Sequence, residues 1–236
     1  MNRFTYQCSE DDLRNITVES TKTYTAIPYK SLIDKVKECV DKQGLTILEE
    51  TYTSCNNHKI ANGLYRLNMS DSDIALELFW QNSIDKTVSF KIAAGSYVFV
   101  CTNGCVYGDI GAYRKIHKGD ADIQSVNHIE SYIKSSKDYF SLMVEQKNNF
   151  KELQIDNKKR AMIIGDLFLN SKILTSTQLS IVADEIAKPS FEYNAKDSLW
   201  ELYQHCTHSF KIISPRNFIM KQIELNNYFE NVSTEL

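Results

Sequence analysis

The stretch from Phe79 to Asp109, FWQNSIDKTVSFKIAAGSYVFVCTNGCVYGD, constrains this chain more than any other. Val88, Phe90, Ile92 and Ala94 alternate with Ser89 and Lys91, the period of two expected of a half-buried strand. Tyr97-Val98-Phe99-Val100-Cys101 is apolar without alternation and reads as a strand covered on both faces. Gly95, between the two runs, predicts a bulge or sharp bend in a backbone region closed to residues with a Cβ. Asn103-Gly104 precedes Cys105-Val106-Tyr107, and Asn-Gly between apolar runs predicts a hairpin. Half of the chain's eight glycines, Gly95, Gly104, Gly108 and Gly111, fall within seventeen residues at the end of this stretch and just past it. The chain must therefore turn back on itself in short antiparallel strands.

Three motifs in this stretch carry a resemblance. Asn82-Ser83-Ile84-Asp85-Lys86-Thr87, Lys91-Ile92-Ala93-Ala94-Gly95 and Val98-Phe99-Val100-Cys101-Thr102-Asn103, in that order, resemble the signature of a phage- and plasmid-borne family known as the domain of unknown function 932. Leu199-Trp200-Glu201-Leu202-Tyr203 with Thr207 resembles the family's C-terminal Trp/Tyr/Thr helix, so that the likeness runs from Pro28 to Phe229. It implies a phage or plasmid setting and no particular activity.

The flanking sequence extends the sheet. Leu45–Ser54 and Ile60–Met69 read as strands joined by a hairpin connection, Asp71-Ser72-Asp73 as a turn, and Ile74–Trp80 as a strand alternating Leu76, Leu78 and Trp80 against Glu77 and Phe79. Asp71 and Asp73 together suggest a divalent-ion site, against which the turn is the weightier reading because companion carboxylates are missing nearby. Ahead of the strands, Leu32, Ile33, Val36 and Val40 recur at helical spacing between Pro28, a fitting start, and Gly44, a fitting stop. Helical spacing returns from Ile123 to Arg160 and predicts one long amphipathic helix with a basic side. Thr175-x-x-Gln178 predicts a capping box, Pro189 a helix end, and Trp200, Tyr203 and Phe210 an aromatic amphipathic helix; a further segment starts at Pro215, with residues 231–236 frayed. The expected fold is α+β: an antiparallel β-meander of about five strands with a leading helix and a long following helix, then a helical C-terminal part. The boundaries fall at an extended polar arm (1–23), a sheet core (24–122) and a helical region (123–236). Helix, meander, helix is also the order in the core of single-strand annealing recombinases of the Rad fifty-two kind, a likeness of fold alone.

Composition excludes some functions. The net charge of −3 gives no global field toward polyanions. The acidic start, with Glu10, Asp11 and Asp12, is unlike a signal peptide, so a cytoplasmic protein is expected, in a host cell if phage-encoded, with no membrane partner. Six scattered cysteines form no Cys-x-x-Cys pair. Free buried thiols are the expectation, with a zinc site from Cys101, Cys105, His205 and His208 as the lesser alternative. No metal or other cofactor is expected.

Phosphate-loop, nucleophile-elbow and zinc-protease motifs are missing from the sequence, and more weight falls on a non-enzymatic role than on an enzyme. The best polar constellation is the turn of Asn82, Ser83, Asp85 and Lys86, either a ligand-facing loop or an Asx-type turn satisfied by nearby backbone, the second being favoured. Ala112–Asp122 is polar and locally basic and reads either as an anion or phosphate contact or as a solvated loop, the two being evenly weighted. The first function class is single-stranded nucleic-acid binding or annealing. Tyr97, Tyr107 and Tyr113 would stack bases, and Lys86, Lys91, Arg114, Lys115 and Lys118 would meet phosphates across the sheet face. The second is an interaction module binding a host or phage protein through the long helix and the aromatic C-terminal helix. A homo-oligomer is compatible with either.

Overall fold

The computed structural model describes residues 5–18, 27–85, 87–100, 104–106, 112–115 and 121–236. The chain runs β1 (Thr5–Cys8), α1 (Glu10–Arg14), α2 (Tyr29–Lys42), β2 (Ile47–Cys55), β3 (Ile60–Ser70), β4 (Ile74–Ser83), β5 (Phe90–Val98), β6 (Gly104–Val106), β7 (Ala112–Lys115), α3 (Ala121–Lys134), α4 (Ser136–Glu152), α5 (Asn157–Leu169), α6 (Ser176–Ala187), α7 (Leu199–Ser209), a 3-10 turn at Phe210–Ile212, and α8 (Pro215–Glu235). This is an α+β fold built on one antiparallel sheet of seven strands in the order β1-β2-β3-β4-β5-β6, with β7 also on β5.

The sheet is covered on both faces. Alternation places Leu76, Leu78 and Trp80 of β4, Phe90, Ile92 and Ala94 of β5 and Tyr65 and Leu67 of β3 in one large cluster. That cluster takes in Leu32, Ile33, Val36 and Val40 of α2, Ile129 and Ile133 of α3, Phe140, Met143 and Phe150 of α4, and Trp200 and Tyr203 of α7. On the opposite face Phe79, Ala93 and Leu64 pack under Phe218, Ile219 and Ile223 of α8. Every residue of β4 is consequently buried. The sequence showed only the half-buried pattern of this strand, because its second face carries Glu77, Gln81 and Ser83 beneath a helix that arrives from the far end of the chain.

Several expectations change here. The stretch expected to be an extended polar arm holds a strand and a short helix instead: β1 pairs with Tyr52–Cys55 of β2, Ser9 forms a capping box with Asp12, and Leu13 is buried in the core. Gly95 is neither bulge nor bend. β5 runs through it in register with β4 and continues to Val98, so the first run and the start of the second form one strand, with Phe99 and Val100 in the turn that follows. Its constraint is a close approach, since a Cβ there would lie 2.2 Å from the backbone oxygen of Cys105 and 2.6 Å from the Phe79 ring. β5 does fold back onto β6, but Gly104, expected in the turn, is the first residue of β6 opposite Tyr97, and Asn103 lies outside the described residues.

The basic segment is a strand as well: β7 pairs with Phe90–Ala93, so β6 and β7 share the outer side of β5 end to end. Between them the Ala94 N–H donates to the Tyr132 hydroxyl at 2.7 Å, which satisfies a buried amide that neither strand reaches. The single long helix expected over Ile123–Arg160 is three. Ser135 breaks α3 from α4, and the Ser136 hydroxyl donates back to the Ile133 carbonyl at 2.7 Å, a serine pair diverting the helical ladder. Asp156 then caps α5 through the Lys159 amide. The capping box at Thr175 and Gln178 is present, and α8 continues to Glu235 instead of fraying at Asn231.

Candidate functional site

Of the expected nucleic-acid residues, the structure describes the side-chain surroundings of Lys91 and Tyr97, and neither side chain stands free on the sheet face. Lys91 is buried, and its ammonium donates to Gln81, whose amide donates to Asn62 at 3.0 Å. This polar row crosses β3, β4 and β5 in register. Tyr97 is half-buried under the Arg66 guanidinium, 4.7 Å from its ring centroid, and edge-on to the exposed Phe99. Tyr113, Arg114 and Lys115 stand on β7 opposite Ile92, Lys91 and Phe90. Lys86, Tyr107 and Lys118 lie outside the described residues.

The Asn82–Thr87 turn is stitched to its surroundings. Asn82 is buried and donates to the Ile27 carbonyl at 2.8 Å, tying β4 to the entry of α2. The Ser83 hydroxyl donates to the Val88 carbonyl at 2.7 Å and accepts from the Val88 amide at 3.0 Å. Asp85 accepts from the Thr87 amide and from Asn56 Nδ2, both at 3.1 Å. Asn56, Asn57 and His58 all hold positive φ, so two side chains bonded across the turns, Asn56–Asp85 and Ser54–His58, brace a connection of three left-handed residues.

Other polar clusters are equally committed. Lys147, almost wholly buried, bonds Asp71 and lies 2.9 Å from an Asp73 oxygen, with Lys151 also 2.9 Å from Asp73. Burial opposes ionisation there, but the two lysines outweigh it and hold the Asp73 pKa at about 2. The Asp-x-Asp turn thus takes lysines as its cations, and Asp71 also caps the turn through the amides of Asp73 and Ile74. Glu185, which the sequence reading passed over, faces His205 at 3.8 Å and His208 at 3.6 Å and accepts from the Ser190 amide. Burial holds His205 neutral, at about 4, against the pull of that carboxylate. Among the described residues no three His, Cys, Asp or Glu side chains are placed to hold a metal. Cys105 is buried against Gln204 of α7, while Cys101 lies outside the described residues. Burial raises the thiols of Cys8, Cys39, Cys55 and Cys206, which keeps them protonated and poorly nucleophilic. The aromatic helix α7 is nearly all interior, with Trp200 and Tyr203 in the core and Phe210 buried just past its end.

Part of one strand edge stands open beside a cleft. β1 covers only Tyr52–Cys55 of β2, leaving the outer side of Ile47–Thr51 without a strand among the described residues. A register shift between Ile47 and Glu49 makes Leu48 the extra residue of a bulge, and Leu48 is 59% exposed. Beside this edge a cleft of about 500 Å³ runs along the end of α2, lined by Lys37, Val40, Asp41, Leu45, Ile47 and Glu50 among others. Opposite residues fix the faces: Glu49 stands across from Arg66 on the α8 side, and Glu50 across from Tyr65 on the α2 side. Glu49 bonds Arg66 at 2.9 Å, while Glu50 shares Lys37 with Glu10. The sequence signal for this edge was the Leu48-Glu49-Glu50 run, which breaks the alternation of an otherwise ordinary strand.

No curated protein and no solved structure matches the chain. A family model does match, over residues 18–220, nearly the whole of the sheet and most of the helical part. The chain belongs to the family described as Domain of unknown function (DUF932).

Proposed function

We propose that this protein is an interaction module that takes an extended polypeptide segment as an added strand on β2. The observation that carries the reading is the coincidence of an unpaired stretch of edge, Ile47–Thr51, with an apolar-floored cleft alongside it. Backbone groups on such an edge supply hydrogen bonds to any extended partner, and pockets beside it select the side chains. This role suits a phage- or plasmid-borne accessory factor acting on a host or phage protein. Among the described residues no helix is long and apolar enough to cross a membrane. Panning random peptides against the full chain tests the reading. Selected peptides should shift the backbone amide resonances of Ile47–Thr51, and a panel whose shifts map elsewhere would overturn it.

A second reading, binding of single-stranded DNA, draws support from one observation: Arg114 and Lys115 fall on β7, at the end of the sheet opposite β2. Cations there would bind phosphate irrespective of sequence. Replacing Arg114, Lys115 and Lys118 with Ala should weaken single-strand binding and flatten its salt slope by about 0.7 per lost contact. A wild-type Kd weaker than about 10⁻⁴ M at low salt ends this reading.

A further inference from the structure

Resting on the edge-docking reading, we infer that the segment β2 accepts is a basic one, with Lys or Arg alternating with apolar side chains. The argument is the placement of charge around the open edge. An added strand alternates its side chains between the two faces of the sheet. On the α2 side it would pass along Val40, Leu45 and Ile47, a wall that rewards an apolar residue. On the α8 side it would pass Glu49, whose side chain is 55% exposed despite its bond to Arg66. Asp41 and Glu50 close the rim on the α2 side.

The cleft's lining holds one cation against these three carboxylates, and that cation, Lys37, is already shared by Glu10 and Glu50 at 2.7 and 2.8 Å. An acidic segment would meet like charge on both faces, which is unfavourable directly across a strand pair. A neutral one would add no cation to a lining in which Asp41, Glu49 and Glu50 face Lys37 alone. A basic segment turns its cations toward Glu49 on the α8 side while its apolar residues follow the wall on the α2 side, whose rim adds the charges of Asp41 and Glu50. Acidic residues also guard sheet edges against unwanted pairing, but a guard has no need of an apolar cleft beside it.

Three synthetic peptides separate the possibilities: valine alternating with lysine, with threonine, or with glutamate. Each is titrated against the full chain, following the Ile47–Thr51 amides and the affinity at low and high salt. The lysine peptide should bind at least about tenfold more tightly than the threonine peptide at low salt, with the advantage largely lost at about 1 M, where charges are screened beyond about 3 Å. Glu49→Gln and Asp41→Asn should each reduce that advantage while leaving the threonine peptide unaffected. Equal binding of the lysine and threonine peptides, or tightest binding of the glutamate peptide, overturns the charge inference and leaves strand addition standing. If none of the three moves the Ile47–Thr51 amides, both readings fall and the acids are guards.

Discussion

Gly63 sits across from Trp80 in the β3–β4 pair, and the indole lies directly over it. A Cβ at this position would be 2.2 Å from Trp80 Nε1 and 2.3 Å from Cε2. Ordinary carbon contacts begin near 3.5 Å, so Gly63→Ala must push the ring more than about 1 Å. The ring has nowhere to go. It is fully buried, with its centroid 6.2 Å from both Tyr29 and Tyr52, and its N–H donates to the Tyr65 hydroxyl at 3.1 Å. That hydroxyl is in turn 3.1 Å from the Tyr52 hydroxyl, so the displacement spreads through three aromatic side chains. Overpacking of this kind costs about 1–3 kcal/mol, and loss of the buried indole bond adds about 1 more. Gly63→Ala should therefore destabilise by about 2–4 kcal/mol, a fall in Tm of roughly 4–16 °C for a chain of this size. Urea and thermal denaturation give the single-mutant value, and a cycle with Trp80→Leu gives its cause. Once the indole is gone, the added methyl meets no ring, so the two changes should couple favourably by at least about 1 kcal/mol. Additivity within about 0.5 kcal/mol would show that the glycine is not there to seat the tryptophan.

Two further measurements probe the buried charges. Lys147→Met should destabilise by about 2–4 kcal/mol, short of the cost of a wholly buried pair because Asp71 and Asp73 keep some contact with water. Because Asp73 is held at about 2 against an ordinary 3.8, its contribution is complete above pH 4 and disappears as pH falls toward 2; that acid loss should shrink in the variant, and an unchanged acid profile would refute the pairing. Glu77 runs the other way: burial raises it from 4.5 to about 8 against the pull of Arg66, so the folded state holds a proton that the unfolded state has lost, and stability should decline between pH 4.5 and 8. Glu77→Gln should flatten that decline and be the more stable protein at pH 8, whereas a less stable variant would mean that the carboxylate is charged and held by Arg66.

What the sequence made legible was what depends on nearest neighbours. The period of two over Val88–Ala94, the Thr175 capping box and the Pro28 and Gly44 limits of α2 all report local rules, and each element is where those rules put it. The elements that changed depend on partners far away in the chain. Lys91 looks like a solvent-facing residue of an alternating strand until α8, more than a hundred residues later, closes over the same face. Gly95 looks like a bend, but what excludes a side chain is the Cys105 carbonyl of the neighbouring strand, not its own backbone angles. The polar start of the chain carries too few apolar residues to announce a strand, and β1 forms because Tyr52–Cys55 offers it an edge.

The candidate site follows the same logic in reverse. A docking edge is defined by what fails to cover it, and β1 stops at Cys8 because Ser9 caps α1 and turns the chain away. The short helix that ends β1 also brings Glu10 to Lys37, which ties up the one cation in the cleft's lining. One local capping signal, Ser9 with Asp12, therefore both opens the edge and leaves its rim acidic. Neither consequence can be read from residues 9–12 without the strand and helix they meet.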